Sequence, residues 1–317
     1  MNAGHILRRL LGAVPLLFGI SLILFAVIHL APGGPLDVYA DNPSVSPEAL
    51  EEIKQAYGLD RPIPVQYALW LKSMLLGNWG YSIRTGRPVM EEIRDRLGPT
   101  LELGGLAMAI SLVLALPLGV ISAARRHSTL DHLLTFLSFA GISIPVFWLA
   151  LLLQLLFSIA LGWLPSAGYE TIGSGSFGDR LAHIAMPAAV LSLATIASWS
   201  RYIRSGMVEV LNEDYIRTAY AKGRRELGVI IHHALRNALI PAVTIIALDL
   251  ASIISGAVIT ETVFAWPGVG RLFIESMDGR DYPVLMGLMM MGSLAIVLAN
   301  ILADLTYALL DPRIRYD

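Results

Sequence analysis

The residues of this chain that are best suited to chemistry are a cationic segment at residues 214–241 and two acids in apolar sequence, Asp249 and Glu261. A carboxylic acid inside a long apolar stretch is costly to bury, so it usually faces a cavity or a partner group. Such acids could attract a cation or an amino group along a pathway. They could equally pair with polar groups on neighbouring helices, and the residues alone leave both roles open.

The cationic segment predicts two short helices separated by a glycine. Residues 212–221 form the first, with Asn212 as a suitable N-cap, and residues 226–237 form the second, which leads into apolar sequence. Gly223 lies between them and predicts a turn or a left-handed residue, because glycine has no Cβ to oppose that conformation.

One face of the first helix combines small and aromatic groups with charge. Three- and four-residue spacing places four residues on this face: Tyr215, Thr218, Ala219 and Lys222. A helix of this kind suits docking into a groove on another protein. Its basic residues suit an anionic lipid surface equally well, so the physics alone does not choose between these two partners.

The composition is that of a membrane protein. Of 317 residues, 55% are hydrophobic and 15% are charged, against about 25% charged in soluble domains. The net charge of -2 gives no reason to expect nucleic acid as a partner. The absence of cysteine excludes disulfides and thiolate metal sites, and the scattered histidines predict no metal site.

The three lysines exclude an ATP site of the common phosphate-loop type. Lys54, Lys72 and Lys222 all lie outside a G-x-x-x-x-G-K-[ST] sequence. We therefore expect no ATP site of this type in the chain.

Six segments are long and apolar enough to cross about 30 Å of hydrocarbon. They are residues 10–30, 101–123, 133–161, 184–199, 239–264 and 284–309. The fold class predicted is therefore an all-α polytopic membrane protein with six transmembrane helices. Pro145 predicts a kink or tilt in the third of them.

The distribution of basic residues predicts the orientation. Thirteen of the 23 Lys and Arg residues fall at the N-terminus, after the second and fourth spans, and at the C-terminus. Because basic residues favour the cytoplasmic side, both termini are expected in the cytoplasm, and an even number of spans satisfies that arrangement.

The long segment between the first two spans is expected to fold outside the membrane as a small helical insertion. Ser46 and Pro47 predict a helix at residues 46–57, and further helices are predicted at residues 65–76 and 88–96.

This pattern divides the chain into four parts. Residues 1–30 are the cytoplasmic N-terminus and first transmembrane helix, residues 31–100 the external insertion, residues 101–309 a five-helix core with a cytoplasmic loop at 206–238, and residues 310–317 a cytoplasmic tail.

Motifs along nearly the whole chain carry a family resemblance. They include A-P-G-G-P from Ala31, Y-G-L-D-R-P from Tyr57, G-I-S-I-P-V-F-W-L from Gly141, W-L-P-S-A-G from Trp163, E-T-V-F-A-W-P-G-V-G from Glu261 and R-D-Y-P from Arg280. The loop wording R-T-A-x-A-K-G and H-A-L-R-N-A-L-I-P agrees with them. Together they resemble the dipeptide/oligopeptide/nickel permeases among the importers of the ATP-binding-cassette (ABC) class, with a type I permease fold.

The cytoplasmic loop keeps part of the wider permease pattern E-A-A-x-x-x-G, nine residues, I-x-L-P. Residues 217–219 occupy the E-A-A place, Gly223 is the glycine, and Arg236 replaces the proline. The resemblance implies that a coupling loop at residues 214–236, including Arg217, Thr218, Ala219 and Gly223, contacts a partner ATPase. Helical geometry extends this contact to three further residues: Tyr215, Lys222 and Arg224.

The resemblance also implies partners and a cargo. Two permease chains, usually different, form the pathway, and an extracytoplasmic binding protein delivers the substrate at the bacterial inner membrane. Two ATPase subunits bind ATP and Mg, so the resemblance implies that this chain is not an enzyme and holds no cofactor of its own. Short peptides are the expected cargo, with nickel chelates, glutathione or oligosaccharides as alternatives. The Glu-Thr-Val-Phe motif, being typical of the subfamily, favours structural pairing for Glu261 over a place on the substrate pathway.

Two other functions remain to be distinguished. A secondary transporter driven by an ion gradient would use Asp249 and Glu261 as relay acids and should carry inverted repeats, of which the sequence shows no sign. A membrane scaffold without transport would leave those acids unexplained. Dependence on ATP and partner ATPases separates the first interpretation from both.

Overall fold

The computed structural model of the protein describes residues 3–30 and 60–310, together with four single residues, Ser46, Glu48, Glu51 and Gln55. Within this part of the chain the secondary structure is helical. The twelve α-helices there are α1 (Ala3–Leu30), α2 (Ile63–Leu75), α3 (Val89–Ala124), α4 (Thr129–Ser143), α5 (Val146–Leu153), α6 (Phe177–Leu211), α7 (Asp214–Ala221), α8 (Glu226–Val229), α9 (Leu235–Ser252), α10 (Val258–Val263), α11 (Val269–Asp278) and α12 (Tyr282–Leu310).

Three short segments extend these helices with a different winding. A π-helical turn, Gln154–Ala160, follows α5, and another, Ile230–Ala234, joins α8 to α9. A 3-10 turn, Ile253–Ser255, ends α9. The described residues divide into two compact units, those within 1–97 and 272–297 and those within 98–271 and 298–310.

In the first unit, α2 packs on α1 through aromatic rings. Phe25 lies 5.3 Å from Tyr67 and 5.8 Å from Trp70 between ring centroids, and the hydroxyls of Ser21 and Tyr67 share a hydrogen bond of 2.8 Å. The second helix of this segment, predicted at 65–76, is therefore confirmed as α2, and its location outside the membrane stays a prediction. The first, predicted at 46–57, lies mostly outside the described residues, although Glu48, Glu51 and Gln55 are helical.

The prediction of a third separate helix in this segment is wrong. Residues 88–96 do not form a separate element, because they are continuous with the second apolar segment in the 36-residue helix α3. Ser82 and the backbone N–H groups of Ile83 and Arg84 donate hydrogen bonds to the carboxylate of Asp281, which holds the turn before this helix.

In the second unit, buried side chains of α6 pack with residues of α3, α7 and α9 in one hydrophobic cluster. Trp199, Ile203 and Met207 are nearly inaccessible to solvent and pack with small residues of α9. A Cβ added at Gly206 would lie 2.5 Å from the carbonyl oxygen of Ala238. Only glycine therefore permits α6 and α9 to approach this closely.

The third and fifth apolar segments are both broken. The break expected at Pro145 is confirmed, since the helices on either side of it differ in direction by 98°. In the fifth segment α9 ends in the 3-10 turn, and Gly256, with φ of 79°, separates it from α10. The segment predicted as one span at residues 239–264 is therefore two helices.

Four described helices are long and apolar enough to cross a membrane. They contain Leu11–Leu30, Val89–Ala124, Phe177–Leu211 and Tyr282–Ile301. Two bent pairs, Thr129–Ser143 with Val146–Ala160 and Glu226–Val243 with Ile245–Ser255, raise the number to six if each pair counts as one span. The number of six spans thus stays a prediction.

Candidate functional site

Helix α7 forms the first half of the cationic segment and begins later than the sequence predicts. Its N-cap is Glu213. Asn212 instead ends α6, where its backbone N–H bonds to Glu209 and its side-chain amide donates to the carbonyl oxygen of Val208 at 2.7 Å. The predicted cap at Asn212 is wrong because this side chain turns back to the preceding helix.

The inner side of α7 is fixed to the core of its own chain. Ile216 is fully buried and Ala219 is 7% exposed, and both belong to the cluster around Trp199 and Ile203. The expected face is therefore corrected at Ala219, whose small side chain allows α7 to lie close against the core. Ala219 is packed inside the chain, whereas its neighbours in the predicted face are exposed.

The outer side of α7 carries the remaining predicted contact residues. Five of the predicted contact residues have exposed side chains: Tyr215, Arg217, Thr218, Lys222 and Arg224. Arg217 forms an exposed ion pair with Asp214 at 3.2 Å. The Thr218 hydroxyl donates to the backbone carbonyl of Asp214 at 3.0 Å. This surface, which we call the α7 outer face, presents three cationic side chains.

Gly223 ends the helix in the left-handed conformation that the sequence predicts. Its φ is 73°, and its N–H donates to the carbonyl oxygen of Tyr220 at 2.9 Å. No atom of the described residues lies within 4 Å of the position that a Cβ would take. The requirement for glycine is therefore conformational and does not come from crowding.

Two further interactions define the segment. The side-chain amide of Asn237, near the start of α9, donates to the Tyr215 hydroxyl at 2.8 Å. Partial burial raises the pKa of Tyr220, and the charge of Glu226 raises it further. The phenol of Tyr220 is therefore neutral at physiological pH.

Asp249 lies on α9 and is half-buried. The indole N–H of Trp199, on α6, donates to its carboxylate at 2.7 Å. Because Trp199 is only 1% exposed, this hydrogen bond fixes the carboxylate against the buried face of α6. The structure does not bring Asp249 and Glu261 into hydrogen-bonding contact with each other.

Glu261 lies on α10 and is fully buried. Its carboxylate accepts hydrogen bonds from the hydroxyl of Thr100 at 2.9 Å and from the backbone N–H groups of Ala257 and Arg271 at 3.2 and 3.0 Å. A Cβ added at Gly268 would overlap the same carboxyl group. These contacts agree with structural pairing, the role favoured by the sequence. Glu261 lies on the short helix α10, after the break at Gly256, and is therefore not part of one continuous span with α9.

Sequence reasoning missed a buried ion pair between α4 and α6. Asp131, 2% exposed, accepts hydrogen bonds from the Nε and Nη2 atoms of Arg204 at 2.7 and 2.8 Å. Ser122 at the end of α3 donates to the same carboxylate at 2.5 Å. A local signal was present, because Ser128 caps α4 and accepts from the N–H of Asp131, as in a capping motif.

A second missed group lies near the start of α6. The carboxylate of Glu102 accepts from Arg180 Nη2 at 2.7 Å and from the Tyr169 hydroxyl at 2.8 Å. The guanidinium of Arg180 also lies 4.1 Å from the centre of the Tyr169 ring. The three residues are separated by at least 11 positions in sequence, so helical periodicity does not reveal them.

The part of the chain that the structure describes contains no group of three or more His, Cys, Asp or Glu side chains arranged to hold a metal ion.

Comparison with known proteins identifies the family. Residues 115–316 match the family described as "Binding-protein-dependent transport system inner membrane component", and residues 3–104 match its N-terminal companion family. The oligopeptide transport system permease protein AppB of Bacillus subtilis is 44% identical over 99% of this chain and 100% of its own length. The dipeptide transport system permease protein DppB of Escherichia coli K12 is 39% identical over 98% of both chains.

A solved structure shares the fold at low identity. The MetNI methionine ABC transporter in an inward-facing conformation matches with a TM-score of 0.58 and 16% identity, over 70% of this chain and 97% of that one. The predicted class, an all-α protein with the type I ABC importer permease fold, is confirmed, as is the family resemblance. The chain is a multi-pass membrane protein that belongs to the permease family of binding-protein-dependent transport systems.

Proposed function

We propose that this chain is the permease subunit of an ABC importer for short peptides. The names of two close relatives, an oligopeptide permease and a dipeptide permease, support this cargo, because the similarity extends over essentially the whole of each chain. The chain forms half of the translocation pathway, and a second, homologous permease forms the other half. An extracytoplasmic binding protein delivers the peptide to the outer side.

The observation that carries the coupling role is the two-sided packing of α7. Ile216 and Ala219 fix one side to the core of the permease, and the α7 outer face is left exposed with its cationic residues. A partner ATPase that binds the α7 outer face would move α7 when it changes conformation, and α7 would transmit the displacement to α6 and α9. An exposed cationic face of this kind suits docking against a partner surface of complementary, acidic charge.

In this proposal ATP and Mg are bound by the two ATPase subunits. The lack of a phosphate loop in this sequence is consistent with that division of labour. A two-state permease needs ligands that bind its states unequally, and the ATPases supply that difference in affinity when they close on ATP.

The proposed topology places the α7 outer face in the cytoplasm of a bacterial cell, beneath the inner membrane. Both termini lie on that side, residues 31–100 form the external insertion, residues 101–309 form the core with its loop at 206–238, and residues 310–317 form the tail. The basic residues near α7 support this orientation through the positive-inside rule.

A crosslinking experiment tests the coupling surface. The chain has no native cysteine, so Thr218→Cys introduces a single thiol on the α7 outer face. A short thiol-to-amine reagent should join it to the ATPase subunit and not to the binding protein. Ser174→Cys, exposed in the segment before α6, is the matched control and should give no ATPase adduct. Equal labelling of both variants would refute the assignment.

A transport experiment tests the cargo. The complete complex in proteoliposomes should show ATP hydrolysis that rises with binding protein and a mixture of short peptides, and should accumulate labelled peptide. Stimulation by nickel chelates, glutathione or oligosaccharides instead of peptides would keep the importer class and reject the peptide assignment. Uptake without any ATPase subunit would reject the importer class.

A further inference from the structure

We propose that a groove between α3, α4 and α6 binds one anionic phospholipid, with an acyl chain in the groove and the phosphate at Arg201. The groove lies within the second unit and on the side of the chain where the proposed orientation places the cytoplasmic leaflet. The inference concerns a ligand site of this chain alone and does not depend on which substrate is transported.

The groove is a cavity of about 430 Å³ with an apolar body and a polar end. This volume lies in the range of roughly 300–1,000 Å³ that is usual for small-molecule sites. The apolar part is lined by Leu114, Leu118, Leu134, Ile144, Leu193 and Ile196. The polar end contains Ser138, Ser200 and Arg201. A ligand with a long hydrocarbon chain and one anionic group matches this groove, because the chain would contact the apolar lining and the anionic group would contact the polar end.

Arg201 is the cation that is free to receive the anionic group. It is exposed, and its guanidinium carbon lies 4.5 Å from the centre of the Phe139 ring. Within the described residues no carboxylate forms an ion pair with it. Arg204, one turn further along α6, is instead bound to Asp131. A guanidinium stacked on an aromatic ring keeps its edge N–H groups for bidentate bonds to phosphate oxygens.

The charge around the groove favours an anion over a zwitterion. Two charged side chains line the groove, Arg201 and Arg204. Arg204 is neutralised by its ion pair with Asp131, so the lining keeps one uncompensated positive charge, that of Arg201. Basic pockets between transmembrane helices on the cytoplasmic side are suited to anionic lipid headgroups. A phosphatidylcholine headgroup would bring its own cation to this region.

Native mass spectrometry of the purified full-length chain, with the subunits that co-purify, tests the proposal. After exchange into mixed dioleoyl phosphatidylglycerol and phosphatidylcholine, the wild type should retain phosphatidylglycerol. Arg201→Gln should lower its retention about fivefold, the effect expected for one arginine at an anionic surface. Arg125→Gln removes the same charge from the exposed α3–α4 connection and is the matched control. Equal retention in the two variants would overturn the proposal.

A second variant and a second ligand separate the lipid from free phosphate. Ala140→Leu fills the groove, which Ala140 lines, and leaves Arg201 in place; it should lower phosphatidylglycerol retention as well. Inorganic phosphate should neither compete with the lipid nor raise the melting temperature. Competition by phosphate, or unchanged retention in Ala140→Leu, would show that the acyl chain does not occupy the groove. Equal retention of the two lipids by the wild type would reject an anion-selective site.

Discussion

Asp131 and Arg204 form a two-pronged ion pair that joins the start of α4 to α6, with distances of 2.7 Å from Nε to Oδ1 and 2.8 Å from Nη2 to Oδ2. Ser122 and the backbone N–H of His127 complete the coordination of the carboxylate. Arg204 lies seven residues before the end of α6, and α7 begins three residues after that end. The ion pair is therefore placed to fix the part of α6 from which α7 extends.

We predict that breaking this pair destabilises the chain. Loss of one partner from a buried ion pair costs about 3–5 kcal/mol, and because the Arg204 side chain is 30% exposed we expect about 1–3 kcal/mol for Asp131→Asn. Arg204→Lys should also destabilise, since the ammonium group lacks the planar pair of N–H donors that matches the two carboxylate oxygens. Thermal unfolding of the purified protein measures the effect.

The control for this prediction is the exposed pair of Asp214 and Arg217, whose side chains are 94% and 74% exposed. Arg217→Lys should change stability by no more than a few tenths of a kcal/mol. If Asp131→Asn and Arg217→Lys gave the same melting temperature, the buried pair would not contribute in the way its geometry indicates.

The second prediction is that alanine lowers the stability of the protein at Gly223 and raises it at Gly228. An alanine at Gly223 has to adopt a φ of 73°, which costs roughly 1–2 kcal/mol. Gly228 is helical, and a Cβ there meets open space, so alanine should stabilise by about 0.5–1 kcal/mol. Chemical or thermal unfolding of both variants measures the difference.

The functional consequence of the Gly223 substitution is a test of coupling. Gly223→Ala should reduce peptide uptake per ATP hydrolysed, because it distorts the connection between α7 and α8, whereas Gly228→Ala should leave that ratio unchanged. A Gly223→Ala protein with normal coupling would remove the role assigned to this turn.

Local rules predicted several elements correctly because the responsible physics is local. Pro145 cannot continue a helix without losing a hydrogen bond, and the chain bends by 98° at this position. Gly223 was predicted as a left-handed residue for an equally local reason. The same kind of argument failed at Asn212. Its side chain could have capped α7, but it donates a hydrogen bond to the carbonyl oxygen of Val208 in α6 instead.

Contacts between distant residues could not be predicted from periodicity. The face of α7 was expected to include Ala219, but which side is buried depends on α6 and α9, whose positions the sequence pattern does not specify. Glu261 is a similar case. Its partners include Thr100, 161 residues earlier, and the break at Gly256 separates α10 from the helix with which it was predicted to be continuous.

Glu261 carries a third prediction, a structural role without a part in substrate selection. Gly268→Ala would place a Cβ against its buried carboxyl group, and overpacking of this kind typically costs about 1–3 kcal/mol. Glu261→Gln should also destabilise, because one of its two acceptor oxygens becomes a donor facing backbone N–H groups. Yield and melting temperature should fall for both variants, and the peptide preference of the remaining transporter should be unchanged.

The matched control for Gly268 is Gly178, in the first turn of α6, where a Cβ meets open space. Gly178→Ala should leave yield and stability unaltered. A Glu261→Gln protein of normal stability that transports different peptides would instead place this carboxylate on the pathway.

The last prediction separates an ATP-driven permease from an ion-driven transporter at Asp249. Asp249→Asn removes the charge and keeps an oxygen that can accept the indole N–H of Trp199, now 2.7 Å from the carboxylate. ATP-dependent uptake in proteoliposomes should therefore be retained, and an imposed proton or sodium gradient without ATP should drive no uptake in either protein.

Trp199→Phe keeps an aromatic ring but removes the donor, so it should destabilise by about 1–2 kcal/mol. Glu170→Gln, at an exposed acid outside the helices, controls for expression. If Asp249→Asn abolished uptake while Trp199→Phe left it intact, the charge itself would be required, and a relay role for Asp249 would replace the structural one.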